Sequence, residues 1–63
     1  MDDLPVKLGQ EYTVEIIDVT PNGEGIAKVQ SFSVFVPGAK LNEQLTVRIT
    51  RLDSAGADAQ RVS

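Results

Sequence analysis

Alternation of apolar and polar residues is the dominant pattern in this chain, and it predicts β-strands. Residues 45–50 read LTVRIT, so leucine, valine and isoleucine alternate with threonine and arginine. A period of two puts the apolar side chains on one face of a strand, and a helix cannot use it. Residues 51–52 reverse the alternation, so we expect this strand to change face near its end.

The first predicted strand, within residues 10–20, contains an irregularity. Alternate residues up to Ile16 are apolar, and a second isoleucine, Ile17, then breaks the period. One extra residue in an antiparallel strand forms a β-bulge, which bends the strand. We therefore expect a long, half-buried strand with a bulge or a strong bend at the two isoleucines.

The most informative segment, residues 22–38, reads NGEGIAKVQSFSVFVPG. It contains two short runs rich in β-branched and aromatic residues, 25–29 and 32–36, which are typical of strands. Only the two residues 30–31 separate the runs, so the segment predicts a β-hairpin that lacks the favoured Asn-Gly turn.

Glycine and proline mark the ends of this hairpin. Gly23 and Gly25 predict a tight turn before it, with backbone φ angles that only glycine adopts easily. At Gly25 we expect either a positive φ or a close approach between strands. Pro37 and Gly38 should end its second strand, because proline has no N–H to donate to a neighbouring strand.

The remaining segments complete an all-β prediction. Residues 39–43 read as a loop, 53–57 as a polar turn, and 58–62 as a short closing strand. Five strands in a chain of this length fit a small five-stranded OB-like antiparallel β-barrel, in which closure protects the strand edges. We find no segment suited to an independent helix and no internal repeat.

The run GEGIAKV, followed by residues 32–39, resembles the TRAM domain over about residues 6–62. That family is found appended to tRNA-modifying methyltransferases and methylthiotransferases, and free-standing in archaea. The resemblance implies an OB-like barrel over 6–63, preceded by a disordered tail over 1–5. It also implies RNA binding, to tRNA, rRNA or structured mRNA regions. For free-standing members it implies an RNA-chaperone role in adaptation to cold.

Composition narrows the possible chemistry. The chain has no cysteine and no histidine, so disulfides, thiolate catalysis and the commonest general base and metal ligand are absent. Its carboxylates show no recognised catalytic spacing. We predict a monomeric cytoplasmic protein that is not an enzyme, with no catalytic residues, cofactor, metal or small-molecule substrate. It has neither a signal-peptide pattern nor an apolar run of about 20 residues that could span a membrane.

Charge is distributed unevenly along the chain. Nine acidic and six basic residues give a formal net charge of −3, which disfavours phosphate binding overall. The basic residues concentrate in the later strands, where they could form a local patch that contacts phosphate. Alternatively, they are scattered solubilising residues. The candidates for contact with nucleic acid are Lys28, Lys40, Arg48, Arg51 and Arg61.

The two phenylalanines, Phe32 and Phe35, are the remaining candidates for nucleic-acid binding. Because they lie three residues apart in one predicted strand, they should face opposite sides of the sheet. If Val34 and Val36 point inward, Phe32 joins the core and Phe35 offers a surface on which a base can stack. The alternative is that both rings fill the core and rim of the barrel.

Two functions fit these features. The first is an RNA-binding protein, of the RNA-chaperone type, that holds single-stranded or loop RNA weakly and with low sequence preference through a basic and aromatic face. The second is a protein-interaction module that docks on a ribosomal or RNA-modification partner. The acidic net charge favours the second.

Overall fold

Five β-strands close into a barrel in the computed structural model, which describes residues 5–62. The neighbour order around the barrel is β1-β2-β3-β5-β4, and every pair is antiparallel except β3 and β5. The predicted all-β OB-like fold is confirmed, with that one parallel pair as its departure from a fully antiparallel barrel. The strands are β1 Glu11–Val19, β2 Glu24–Val29, β3 Phe32–Pro37, β4 Gln44–Leu52 and β5 Gly56–Arg61.

Residues 1–4 lie outside the described residues, and with them most of the tail predicted over 1–5. Val6 is already buried in the barrel. Within residues 5–62 there is no helix with the length and hydropathy that crossing a bilayer requires.

Two β-bulges occur where the alternation breaks in the sequence. In β1, Ile16 pairs with Ala27 whereas Asp18 pairs with Ile26, so Ile17 is an extra residue. Ile17 is 52% exposed although it is a large apolar residue. In β4 a register shift between Ile49 and Arg51 makes Thr50 the extra residue. Both bulges confirm the predicted changes of face, and they let the long strands β1 and β4 curve around the barrel.

β2 and β3 form the predicted hairpin, with Val29 opposite Phe32. The two connecting residues, Gln30 and Ser31, have φ angles of 52° and 71°. Positive φ at both central residues is the geometry of a type I′ turn, whose twist matches that of the flanking strands. The fold therefore imposes on glutamine and serine a conformation that asparagine and glycine adopt more easily.

The turn before the hairpin lies earlier than predicted. Gly23 has a φ of +87°, and its N–H donates to the Thr20 carbonyl at 3.0 Å. Gly25 is instead a buried residue of β2 with no positive φ, so its prediction as a turn residue is wrong. A Cβ at Gly25 would lie 2.7 Å from the Cβ of Ala39. Glycine is therefore required by close packing at this position. Gly38, with a φ of +77°, follows Pro37 as predicted.

The core is aliphatic apart from one ring. Inward positions of β3 and β4 alternate with outward ones, as the period of two predicts, and among residues 5–62 no buried side chain is polar. The buried residues are Val6, Val14, Ile16, Ala27, Phe32, Val34, Val36, Ala39, Leu45, Val47, Ile49, Ala57 and Ala59.

β5 begins at Gly56, two residues before the predicted start at Asp58. The preceding turn closes on Asp53, whose N–H donates to the Gly56 carbonyl at 3.0 Å. Its carboxylate accepts from the N–H groups of Ala55 and Gly56 at 2.8 and 2.9 Å. β5 buries only small residues, namely Gly56, Ala57 and Ala59. Because small residues carry a weak strand signal, the sequence understated this strand.

Candidate nucleic-acid interface

An outward-facing row of side chains crosses four strands of the barrel. Ile26 in β2 pairs with Phe35 in β3, Phe35 pairs with Asp58 in β5, and Asp58 pairs with Arg51 in β4. Directly paired residues lie on the same face of a sheet. The bulge at Thr50 is what turns Arg51 outward, since strict alternation from Ile49 would have placed it in the core.

The two phenylalanines face opposite sides of β3. Phe32 is 9% exposed and belongs to the core, whereas Phe35 is half-buried on the outer face. The prediction that the two rings face opposite sides of the sheet is therefore confirmed, and Val34 and Val36 do point inward, which was the condition for Phe32 to lie inside. The position of Phe32 does not support its candidacy for nucleic-acid contact, because no base can reach a ring inside the closed barrel.

Phe35 lies against the backbone of the neighbouring strand. Its Cε2 atom is 3.5 Å from the position that a Cβ on Gly56 would occupy. The same hypothetical Cβ would be 3.1 Å from the Ser33 carbonyl oxygen. Because Gly56 has no side chain, the Phe35 ring can pack directly against β5. This contact holds the ring on the barrel surface.

An open cleft of about 240 Å³ lies beside this ring. This volume is below the roughly 300 to 1,000 Å³ of sites for drug-sized ligands, so it suits a single planar group. We call it the Phe35 cleft. Lys28 lies at its rim, where its Nζ donates to the Ser33 hydroxyl at 3.0 Å. The residues that line the cleft include Ser33, Phe35, Arg51, Asp53, Gly56 and Asp58.

The other predicted basic residues lie outside the Phe35 cleft. Arg48 forms an ion pair with Glu11, its partner across β1 and β4, at 2.6 Å. Lys40 is in the loop between β3 and β4. Arg61 lines a wider neighbouring groove of about 540 Å³, which also includes Asp58. The structure therefore groups only Lys28 and Arg51, of the five basic candidates, with the exposed aromatic ring.

Arg61 is held by Glu43. Its Nη1 and Nη2 atoms donate to the two carboxylate oxygens of Glu43 at 2.6 and 3.1 Å. This hydrogen bonding, together with a bond from the Lys40 N–H, lowers the pKa of Glu43 to about 2. The hydrogen bonds to Glu43 in turn raise the pKa of Arg61. At neutral pH this guanidinium is thus already neutralised by a carboxylate, as is that of Arg48.

Arg51 differs from these two arginines. Among residues 5–62 it forms no ion pair, although it lies across from Asp58. Its charge is therefore available to a phosphate at the edge of the Phe35 cleft. A planar aromatic ring with an available guanidinium beside it can hold one base by stacking and one phosphate by charge.

The sequence did not reveal the acidic residues of the cleft. Asp53 and Asp58 were absent from the predicted site because the parallel pairing of β3 with β5 was not anticipated. The alternation of Ala57 and Ala59 with Asp58 could have placed this carboxylate on the outer face. Within the part of the chain that the structure describes, no cluster of three or more potential metal ligands occurs.

Comparison with known proteins identifies the type of domain. The family model for the TRAM domain matches residues 5–62. An uncharacterized protein of Methanocaldococcus jannaschii is 43% identical over 60 residues, which are 95% of this chain and 78% of that protein. A conserved protein of Methanococcus maripaludis, solved in solution, superposes with a TM-score of 0.91 and 39% identity, over 97% of this chain and 87% of its own. An uncharacterized RNA methyltransferase of Clostridium tetani is 39% identical over 51 residues, 81% of this chain but 11% of the enzyme.

Proposed function

This chain belongs to the TRAM domain family, and we propose that it binds single-stranded or loop RNA through the Phe35 cleft and Lys28. TRAM domains are generally RNA-binding modules. In the larger RNA methyltransferase the matching segment is a small part of the enzyme, so the relationship supports RNA binding and not methyl transfer. The observation that carries the proposal is the half-buried ring of Phe35 next to Arg51, which lacks an ion pair among the described residues.

Binding combines stacking with a few phosphate contacts. A splayed base stacks on Phe35, while Arg51 and Lys28 contact the phosphates on either side of it. Two available cations on a protein of net charge −3 give weak and reversible binding. Phosphate contacts position the RNA without reading its sequence.

An RNA-chaperone activity follows from this mode of binding. A protein that binds only unpaired RNA shifts the folding equilibrium by its differential affinity for the unpaired state. Weak binding suits that role, since the RNA must be released to fold again. We propose a monomeric cytoplasmic protein of this kind, acting on exposed strands or loops of tRNA, rRNA or mRNA.

The salt dependence of RNA binding should reflect two phosphate contacts. Each contact to single-stranded RNA contributes about 0.7 to the slope of log K against log salt. We therefore expect a slope of about −1.4 for a short oligouridine, measured by fluorescence anisotropy over a range of KCl concentrations. Arg51→Gln should reduce the slope to about −0.7. Arg48→Gln is the matched control, because Arg48 is already paired with Glu11. An equal loss of slope in both variants would contradict the assignment.

Phe35 should contribute to affinity through its ring and little to stability. Phe35→Leu keeps apolar cover over Gly56 but removes the aromatic face, so we expect RNA affinity to fall by about 1 to 3 kcal/mol. The urea midpoint should change little, since the ring is only half-buried. Phe35→Tyr is the control and should bind nearly as well as the wild type. Unchanged affinity in Phe35→Leu would exclude stacking at this position.

A protein-interaction module is the second candidate. The observation that favours it is the pairing of Arg48 and Arg61 with carboxylates, which leaves few cations for RNA on an acidic protein. Such a module would dock on a ribosomal or RNA-modification partner. Absence of oligouridine binding at the lowest salt concentration would favour it, whereas binding that weakens with salt supports RNA contact.

A further inference from the structure

We propose that the Phe35 cleft selects guanine as the base that stacks on Phe35, and that the Asp58 carboxylate recognises its edge. This inference rests on the proposed function, because it names the base that the RNA-binding cleft accepts. Asp58 puts a carboxylate in the middle of the surface that is proposed to contact phosphate. A surface that only attracted phosphate would be weakened by a negative charge there, so Asp58 requires another role.

Asp58 lies between the stacking ring and the available arginine. It pairs with Phe35 across the parallel β3–β5 pair and with Arg51 across β4–β5. Its backbone carbonyl accepts a hydrogen bond from the Thr50 hydroxyl at 3.3 Å. Its carboxylate has no hydrogen bond or ion pair with any residue in the range 5–62. Both carboxylate oxygens are therefore available to a ligand in the cleft.

Asp53, the other carboxylate of the cleft, has a different task. Its Oδ1 atom accepts from the N–H groups of Ala55 and Gly56, and so shapes the turn that begins β5. Gly56 at the end of that turn lies under the Phe35 ring. Asp53 thus positions the wall of the cleft. Asp58 is the carboxylate of the cleft that accepts no hydrogen bond from residues 5–62.

Guanine is the base whose edge matches a carboxylate beside a stacking ring. Its Watson–Crick edge presents two adjacent donors, N1–H and N2–H, which can give two parallel hydrogen bonds to one carboxylate, as arginine does. Adenine and cytosine place a ring-nitrogen acceptor next to their amino group, and uracil places its N3–H between two carbonyls. In these bases an acceptor atom would lie opposite a carboxylate oxygen, and two acceptors without a proton between them repel each other. A good bidentate base contact discriminates by about tenfold or more.

The test compares short oligouridines that carry a single central guanine, adenine, cytosine or uracil. We expect the guanine oligonucleotide to bind wild-type protein about tenfold more tightly than the others, measured by fluorescence anisotropy at low salt. Central inosine, which lacks the N2 amino group, should lose most of this preference. Central 7-deazaguanine, which keeps the Watson–Crick edge, should retain it. These two analogues test the contact without any change to the protein.

Asp58→Asn should abolish the preference for guanine while leaving the affinity for all-uridine RNA the same or higher, because a repulsive charge is removed. Asp18→Asn is the matched control. Asp18 pairs with Ile26 at the other end of the outward row and does not line the cleft, so this variant should keep the preference.

The outcomes separate this inference from the proposed function. Equal affinity of the wild type for all four oligonucleotides would overturn the guanine assignment and leave RNA binding intact. An equal gain in affinity for all four in Asp58→Asn would also overturn it, because Asp58 would then only screen Arg51. Absence of any RNA binding by the wild type would instead reject the proposed function.

Discussion

Replacing Phe32 with alanine is expected to unfold the protein or bring it close to unfolding. Phe32 is the only aromatic residue in the buried core of residues 5–62, where it is 9% exposed and faces inward at the closed end of the β2–β3 hairpin. Truncating a buried phenylalanine costs about 3 to 5 kcal/mol, because apolar burial is lost and a cavity remains. A domain of this length has a free energy of unfolding of about 3 to 9 kcal/mol. Far-ultraviolet circular dichroism during urea unfolding measures the change.

Phe35→Ala is the matched control for Phe32→Ala. The two residues share a chemical type and a strand, and they differ in the face on which they lie. Phe35→Ala should therefore remain folded, with a small decrease in the urea midpoint. If Phe32→Ala were as stable as Phe35→Ala, the register of β3 in the barrel would be wrong.

Gly25→Val is expected to lower the free energy of unfolding by about 1 to 3 kcal/mol through overpacking. A Cβ at Gly25 would lie 2.7 Å from the Ala39 Cβ and 3.1 Å from two carbon atoms of Ile16. All three residues are buried, so their neighbours cannot move aside easily. Gly25→Ala should show a smaller loss of the same origin. Urea unfolding measures both variants.

A double-mutant cycle identifies the cause of the Gly25 effect. If the cost of Gly25→Ala is mainly contact with Ala39, then Ala39→Gly should recover part of it, and the double variant should be less destabilised than the sum of the single variants. Gly23→Ala is the control. Gly23 has a positive φ and open space around it, so its cost is backbone strain, which Ala39→Gly cannot relieve. Additive effects of Gly25→Ala and Ala39→Gly would contradict the packing explanation.

Local features of the fold were predicted well from the sequence. The doubled isoleucine at 16–17 predicted the bulge of β1, and the reversal at 51–52 predicted the change of face in β4. Alternation also predicted that the two phenylalanines lie on opposite faces, with Phe32 inside if Val34 and Val36 point inward. Each of these features depends on residues within one strand, where the period of two determines the face. The turn conformation predicted at Gly25 was wrong, whereas the alternative of a close approach was right. The residue that it approaches, Ala39, lies outside its own strand and was not predicted.

The candidate site was only partly predictable for the same reason. The ion pairs of Arg48 with Glu11 and of Arg61 with Glu43 could not be predicted, because their members lie 37 and 18 residues apart in the sequence. Charge counting treated all five basic candidates alike. The structure pairs Arg48 and Arg61 with carboxylates and places only Lys28 and Arg51 beside the exposed ring.

The strands, the hairpin, the family and the absence of thiol and imidazole chemistry could be predicted without a structure, because alternation, turn residues and composition are properties of the local chain. Which side chains share the outer face is instead a property of the folded barrel. The cleft exists because β3 and β5 pair in parallel, which brings Phe35 and Gly56 together and sets Asp58 between Phe35 and Arg51. That pairing depends on closure of the whole barrel, and no single segment encodes it.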